Sequence, residues 1–175
     1  QKNRFHGYGI KYNGNKMSYQ GNWSNNSRHG HGISYHPNGE IKYVGDFIKN
    51  QSHGKGQEYY YTGNLKLEGF FSRGVPSGKG ILYYPNGNIQ FNGIISQIDH
   101  GLSGKGIFYY PDGITPHYEG IIKDDAYFGK GKYYDVKGKL VLEGHCDTKL
   151  YYYYTGKNLN QFSKSVGSKE LPLLE

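Results

Sequence analysis

Histidines are the residues whose type and spacing come closest to a metal-binding motif in this chain. All ligands of one zinc ion must converge on a single point at about 2 Å. His29, His31 and His53 form the densest group of the eight histidines. His6, His29 and His53, however, recur at equivalent positions of a repeated pattern, and such positions are expected to lie about 10 Å apart in successive hairpins of a sheet. The spacing therefore predicts no metal site.

Catalytic groups are equally hard to assemble from this sequence. The 14 acidic residues are scattered, and no Gly-x-Ser-x-Gly or phosphate-binding loop is present. The many Gly-x-Gly pairs lack the third glycine and the following helix that a dinucleotide fingerprint requires. We expect no catalytic residues, no cofactor and no enzymatic activity.

Lysines supply a different chemistry, because they stand at the middle of four consecutive Gly-x-Gly pairs. With about 10 Å between steps, these charges would form a modest basic strip along one edge of a sheet. Such a strip would suit acidic phospholipid headgroups or acidic protein tails, although lysine also simply suits an exposed position. Nucleic acid is not an expected partner, since arginine is scarce and the aromatic residues follow the repeat. The four are Lys55, Lys79, Lys105 and Lys130.

A repeated element must position all of these residues. The first glycine of a Gly-x-Gly pair recurs six times with a period typical of stacked-repeat proteins, and a tyrosine always follows five residues later. Asn-Gly, Asp-Gly or a similar pair then marks a turn, which predicts one β-hairpin per repeat. The repeats begin at Gly7, Gly30, Gly54, Gly78, Gly104 and Gly129, and their tyrosines are Tyr12, Tyr35, Tyr59, Tyr83, Tyr109 and Tyr134.

The return strands alternate with a period of two, as in Ile41, Tyr43, Gly45 and Phe47. We expect Ile10, Ile33, Ile81 and Ile107 and the recurring tyrosines to complete this same apolar face. The resulting fold class is all-β, an elongated single-layer antiparallel sheet of twelve strands in stacked hairpins.

The repeat resembles the MORN family. Tyr19-Gln20-Gly21-Asn22-Trp23 leads to His29-Gly30-His31-Gly32, and the next repeat follows the same pattern. The resemblance covers residues 5 to about 146. It implies non-catalytic scaffolds in cytoskeletal or ciliary assemblies such as radial spoke heads, proteins at membrane junctions, or accessory domains of enzymes.

The expected organisation is a repeat domain over residues 1–162, with a degenerate terminal hairpin at 150–162 and a tail at 163–175. Because the chain opens on a half-repeat with no initial Met, we expect it to be part of a longer protein. No apolar run long enough to span a membrane and no signal peptide is present. Cys146 is the single cysteine and takes a small core position. These features favour a cytoplasmic, non-secreted protein.

A protein-docking surface is the most specific functional prediction. The face opposite the recurring tyrosines is polar in the first two repeats but apolar from the third repeat onward, and an apolar face of a single-layer sheet needs a cover. The cover is predicted to be other protein subunits or a second copy, with the tail folding back as the alternative. The predicted docking residues are Tyr60, Phe70, Leu82, Tyr84, Ile94, Phe108, Tyr110, Ile121 and Tyr133.

Overall fold

The computed structural model describes residues 4–97 and 101–151. It confirms the all-β fold class: twelve antiparallel strands form one open sheet in sequence order, so every strand pairs with its neighbours along the chain. The degenerate hairpin at 150–162 and the tail at 163–175 were predicted for segments that lie outside the described residues, apart from the first two residues of the hairpin. The strands are β1 (Gly7–Asn13), β2 (Lys16–Ser24), β3 (Ser27–Tyr35), β4 (Ile41–Ile48), β5 (Gln51–Tyr59), β6 (Leu65–Ser72), β7 (Val75–Tyr83), β8 (Ile89–Gln97), β9 (Ser103–Tyr109), β10 (Pro116–Lys123), β11 (Ala126–Tyr134) and β12 (Leu140–Tyr151).

Two kinds of turn alternate along the ribbon. The predicted Asn-Gly turns are present as short loops, such as the one in which His36 N donates to Glu40 O at 2.8 Å. Four of the other turns have two central residues with positive φ, as at Asn25 (49°) and Asn26 (66°). This conformation matches the twist of the flanking strands and tolerates Asn, Asp and Gly best.

A continuous row of glycines crosses the sheet from edge to edge. Each strand contributes one glycine, and each is the register partner of the glycines on both neighbouring strands. The Cβ positions that these glycines lack point to one face of the sheet, where aromatic rings occupy the space instead. The glycine row consists of Gly9, Gly21, Gly32, Gly45, Gly56, Gly69, Gly80, Gly93, Gly106, Gly120, Gly131 and Gly144.

On one face, which we call the core face, aromatic rings lie across the glycine row. A Cβ atom on Gly56 would stand 2.5 Å from Cζ of Tyr43, and one on Gly32 would stand 2.6 Å from Cζ of Tyr19. Phe91 and Tyr118 cover the corresponding glycines of later repeats. Only glycine leaves room for a ring at this distance, because any Cβ would occupy the volume of the ring.

Side chains of the core face pack against one another along the ribbon. Tyr19 meets Phe47 edge-on at 5.2 Å between ring centroids, and Tyr43 meets Phe71 in the same way at 5.0 Å. Burial raises the pKa of Tyr43 to about 12, with the Asp46 carboxylate adding to the effect. The cluster of buried residues contains Tyr19, Tyr43, Phe47, Leu67, Phe71, Phe91, Ile95, Phe108, Tyr118, Ile122 and Tyr127.

The prediction that the recurring tyrosines share this core face is wrong. Tyr59 Oη donates to Gln57 Oε1 at 2.9 Å and Tyr134 Oη donates to Glu119 Oε2 at 3.2 Å, and both acceptors lie on the opposite face. The register explains this, because a β-bulge precedes the tyrosine, as between Ser34 and Tyr35. The isoleucines that were expected beside the tyrosines, Ile10, Ile33, Ile81 and Ile107, also lie on the face opposite Tyr43.

The glycine row generates a direct test of packing. Gly56→Ala is expected to lower the free energy of unfolding by about 1–3 kcal/mol, because the buried Tyr43 ring is confined by Phe47 and Phe71 and cannot yield to the new methyl group. Gly144→Ala, in the same row with open space around its Cα, is the matched control and should cost nothing measurable. Denaturant unfolding of both variants makes the comparison, and equal losses would contradict it.

Candidate functional site

The nine predicted docking residues do not share one surface. Three of them, Leu82, Phe108 and Tyr133, lie on the core face, where Leu82 opposes Phe91, Phe108 opposes both Phe91 and Tyr118, and Tyr133 opposes Tyr118. Phe108 is 4% exposed. The prediction that these three form an uncovered surface is therefore wrong, because the sheet packs them against its own aromatic residues.

Three more of the predicted residues link one hairpin to the next. Tyr60 Oη donates to Tyr83 O at 2.8 Å, and Tyr84 and Tyr110 repeat this bond to the carbonyls of Tyr109 and Tyr134. Their phenol groups thus bind the backbone of the following repeat and are half-buried. Their role is to couple neighbouring hairpins, which is a different role from that of a free docking side chain.

The last three predicted residues lie on the face opposite the core, which we call the open face. Phe70 is 42% exposed, Ile94 53% and Ile121 40%. The lysines predicted as a separate basic edge lie on this same face and alternate with them. Lys55 opposes Phe70, while Ile94 opposes Lys79 and Lys105 on its two sides.

We call this alternating set the lysine row. Each lysine follows the first glycine of its Gly-x-Gly pair, and each apolar residue directly follows the glycine of the return strand. In the last repeat Lys130 opposes His145, where an imidazole replaces the apolar side chain. All four lysines are exposed. The row consists of Lys55, Phe70, Lys79, Ile94, Lys105, Ile121, Lys130 and His145.

A second row runs parallel to the lysine row on the other side of the glycines. Its members are register partners from strand to strand, and three of them are exposed carboxylates. We call it the glutamate row. It consists of Gln57, Glu68, Ile81, Asn92, Ile107, Glu119, Lys132 and Glu143.

Over β9–β12 the two rows enclose a groove with a volume of about 460 Å³, and its floor is the glycine row. Lys105, Lys130 and His145 line one side, and Ile107, Glu119, Lys132 and Glu143 line the other. The gap between the rows is the ordinary spacing of about 6.8 Å between side chains on one face of a strand, because a side chain at the glycine positions would point to the core face.

The four lysines of the lysine row take part in no ion pair among the described side chains. The ion pairs there join His31 to Asp46 at 3.3 Å and Lys66 to Glu58 at 3.0 Å. Lys55 Nζ stands 5.7 Å above the Phe70 ring centroid. Lys55, Lys79, Lys105 and Lys130 therefore offer cations to a ligand, and they alternate with exposed apolar groups.

Two exposed or chemically distinctive side chains were missed by sequence reasoning. Phe128 is 51% exposed and opposes Ile121 on the open face. His117 lies among aromatic residues, where Tyr127 Oη is 3.0 Å from Nδ1 and Tyr133 Oη is 2.6 Å from Nε2. In the sequence, Pro116 and one extra residue in the preceding turn distinguish this repeat from the others.

The described part of the chain contains neither a cluster of potential metal ligands nor a helix that could span a membrane. No three potential metal ligands come together within residues 4–97 and 101–151. His31 and His53 are both register partners of Asp46, so the histidine group is a set of cross-strand pairs. Those same residues include no helix of the length and apolarity needed to cross a bilayer.

Comparison with known proteins agrees with the repeat structure. The family model of the MORN repeat matches five times, at residues 19–41, 43–65, 68–89, 97–115 and 118–139, which together are more than half of the chain. A comparison with curated proteins finds no match.

His117 makes the stability of the fold depend on pH. Burial lowers the pKa of His117 to about 4, and the titratable groups that touch it are tyrosine hydroxyls. The unfolded chain therefore binds a proton between about pH 6.5 and pH 4 that the folded chain does not bind. Stability is expected to be full above pH 6.5 and to fall by about 3 kcal/mol as the pH drops to about 4.

Unfolding titrations across this pH range, compared between the natural chain and His117→Gln, test the assignment. Glutamine keeps a donor and an acceptor between the two tyrosines but does not titrate. The variant should lose much less stability on acidification. Identical pH profiles would show that another group causes the loss.

Proposed function

Because this chain belongs to the MORN-repeat family, a non-catalytic repeat type whose members generally mediate protein–protein or membrane association, we propose that it is a structural scaffold that holds partner proteins on its open face. The observation that carries the proposal is the contrast between the two faces. The core face buries its aromatic residues against one another, whereas the open face leaves Phe70, Ile94 and Ile121 exposed in a single row.

The exposed apolar area is large enough to contribute to binding but not to sustain it alone. Full burial of such a side chain contributes about 1.5–3 kcal/mol, so covering the exposed half of each contributes about 1 kcal/mol. Three or four such residues together reach only the lower estimates of the cost of association, about 4 kcal/mol. The neighbouring lysines and the groove must therefore take part in any stable complex.

A peripheral membrane module is the second candidate, and the lysine row is the observation that favours it. Unpaired lysines near an anionic bilayer contribute about 1 kcal/mol each. Three carboxylates of the glutamate row, however, face the same side of the sheet and would be repelled by such a surface. This mixed charge favours a protein partner over acidic phospholipid.

The proposed setting is a cytoplasmic assembly of the cytoskeletal or ciliary kind. The MORN repeat, which also occurs in scaffolds such as radial spoke head subunits, is compatible with it, and the single cysteine suits a reducing compartment. Within such an assembly a ribbon of stacked repeats offers a long, regular surface to its partners.

Affinity capture from a native extract cleared of membranes tests the proposal. The natural chain is compared with Ile94→Ser/Ile121→Ser, and the control is Ile114→Ser/Val136→Ser, which removes two apolar residues that lie in turns and are more exposed, at 80% and 71%. At about 0.15 M salt, recovery of stoichiometric partners should fall at least about tenfold for the open-face variant and stay within about twofold for the control. Equal recovery by all three chains would overturn the assignment of the open face.

A further inference from the structure

We propose that the groove on the open face binds an acidic amphipathic α-helix of about 20 residues that belongs to the partner protein. This inference rests on the proposed scaffold function and names the chemistry of its ligand. The helix would lie along the glycine row, across the strands, with its acidic residues directed toward the lysine row.

The spacing of the lysine row distinguishes a helix from an extended peptide. Its members occupy successive strands about 4.8 Å apart, so its lysines recur about every 10 Å with an apolar residue midway. Along a helix, side chains seven residues apart lie on the same side of the axis and about 10.5 Å from each other. Side chains three or four residues apart lie close to the same line, at about half that distance. An extended chain presents side chains on one face about every 6.8 Å, which fits neither interval.

The length of the row sets the length of the helix. Lys55, on β5, and Lys130, on β11, are six strand intervals apart, which is roughly 29 Å. A helix of about 20 residues spans about 30 Å. The twist of the sheet rotates each strand about the long axis of the ribbon, so residues near the middle of a strand are displaced least. The glycine row lies at mid-strand and is therefore the straightest path for such a helix.

Charge determines the sign and the orientation of the ligand. The four lysines have no ion-pair partner among the described side chains, so carboxylates of a ligand would meet free cations. On the other side of the groove, Glu68, Glu119 and Glu143 disfavour acidic residues, and Lys132, the register partner of Glu119 and Glu143, offsets part of their charge. The ligand must therefore carry its acidic residues toward one flank, which a helix with glutamates on one line achieves and a uniformly anionic bilayer does not.

The side chains of the two rows form the surface on which the helix would rest. A helix about 10 Å across is wider than the gap of about 6.8 Å between the rows, so it would contact the side chains of both rows and not the glycine backbone. Apolar side chains of the helix would then meet Phe70, Ile94 and Ile121, which alternate with the lysines. This is the groove-binding mode of an amphipathic helix, with anchors three and four residues apart.

A designed peptide tests the inference without knowledge of the natural partner. The probe is an alanine-based helix of about 21 residues with glutamate at every seventh position and leucine three and four positions after each glutamate. The control peptide has the same composition, with the glutamates moved to the opposite side of the helix. Fluorescence anisotropy at about 0.15 M salt should give at least about tenfold tighter binding for the first peptide, weakening as salt rises. Equal affinities for the two peptides, or no binding, would overturn the inference.

Charge reversal then locates the site on the sheet. Lys79→Glu/Lys105→Glu should weaken binding of the designed peptide at least about tenfold. Lys137→Glu/Lys139→Glu, which makes the same change of net charge at an exposed turn, should leave affinity within about twofold. Equal losses of affinity for the two variants would show that binding depends only on net charge and would contradict binding at the groove.

A vesicle-binding experiment distinguishes a protein partner from a lipid partner. Vesicles of phosphatidylcholine with about one fifth phosphatidylserine are sedimented with the chain at the same salt concentration. We expect no cosedimentation. Binding to vesicles that is lost in Lys79→Glu/Lys105→Glu, with no preference for the designed peptide, would assign the row to lipid. If peptide binding fails while partner capture still depends on Ile94 and Ile121, the helix inference is wrong and the scaffold function stands.

Discussion

The structure depends on one constraint, the close approach of aromatic rings to the backbone of a single-layer sheet. A sheet with no second layer can bury large side chains only by laying them flat along its own surface. The glycine row makes this possible, because Tyr19, Tyr43, Phe91 and Tyr118 lie over positions where any Cβ would overlap the ring. The residues directly before and after these glycines direct their side chains to the other face, because side chains of a strand alternate between faces. The regular register of the glycine row therefore also aligns the two rows of the open face.

Coupling between repeats follows from the same arrangement. On one edge of the ribbon, tyrosine hydroxyls bind the backbone of the next hairpin, as Tyr84 does at Tyr109 O. On the other edge, side chains of the tight turns bind the backbone of the preceding repeat, since Asn50 Oδ1 accepts from Arg28 N at 2.9 Å and Asp125 Oδ1 accepts from Leu102 N at 2.7 Å. Each repeat is therefore fixed by its neighbours alone, as in other repeat proteins. A long ligand on the open face would therefore contact equivalent residues of successive repeats at a constant interval.

The sequence predicted the elements of this fold well and the faces of its strands poorly. Period, turns and strand alternation identify the hairpins, because those signals are local. The face of the sheet on which Tyr35 lies cannot be inferred from the local sequence. A bulge between Ser34 and Tyr35 shifts the register by one residue and recurs in other hairpins, and a shift of one residue reverses the face to which a side chain belongs. Counting alternation through the turn therefore placed Phe108 and Leu82 on an open surface that they do not occupy.

The candidate functional residues also differ in whether local sequence signals could identify them. Lys55, Lys79, Lys105 and Lys130 could be identified from sequence because they follow glycines at a fixed offset. Their alternation with Phe70, Ile94 and Ile121 could not, since it depends on which residues of neighbouring strands oppose each other. His117 escaped for a related reason, because its two tyrosine partners come from the neighbouring strand, β11.

Ile94 and Ile95 provide the most direct test of a ribbon with one closed and one open face. They are adjacent in β8, yet Ile94 is 53% exposed and Ile95 is 2% exposed. In a Cys146→Ser background, the rate of maleimide labelling is measured for Ile94→Cys and Ile95→Cys. The structure predicts fast labelling at position 94 and labelling at position 95 slower by at least about a hundredfold, limited by local opening of the sheet. Similar rates at the two positions would contradict the assignment of the faces and, with it, the location of the groove.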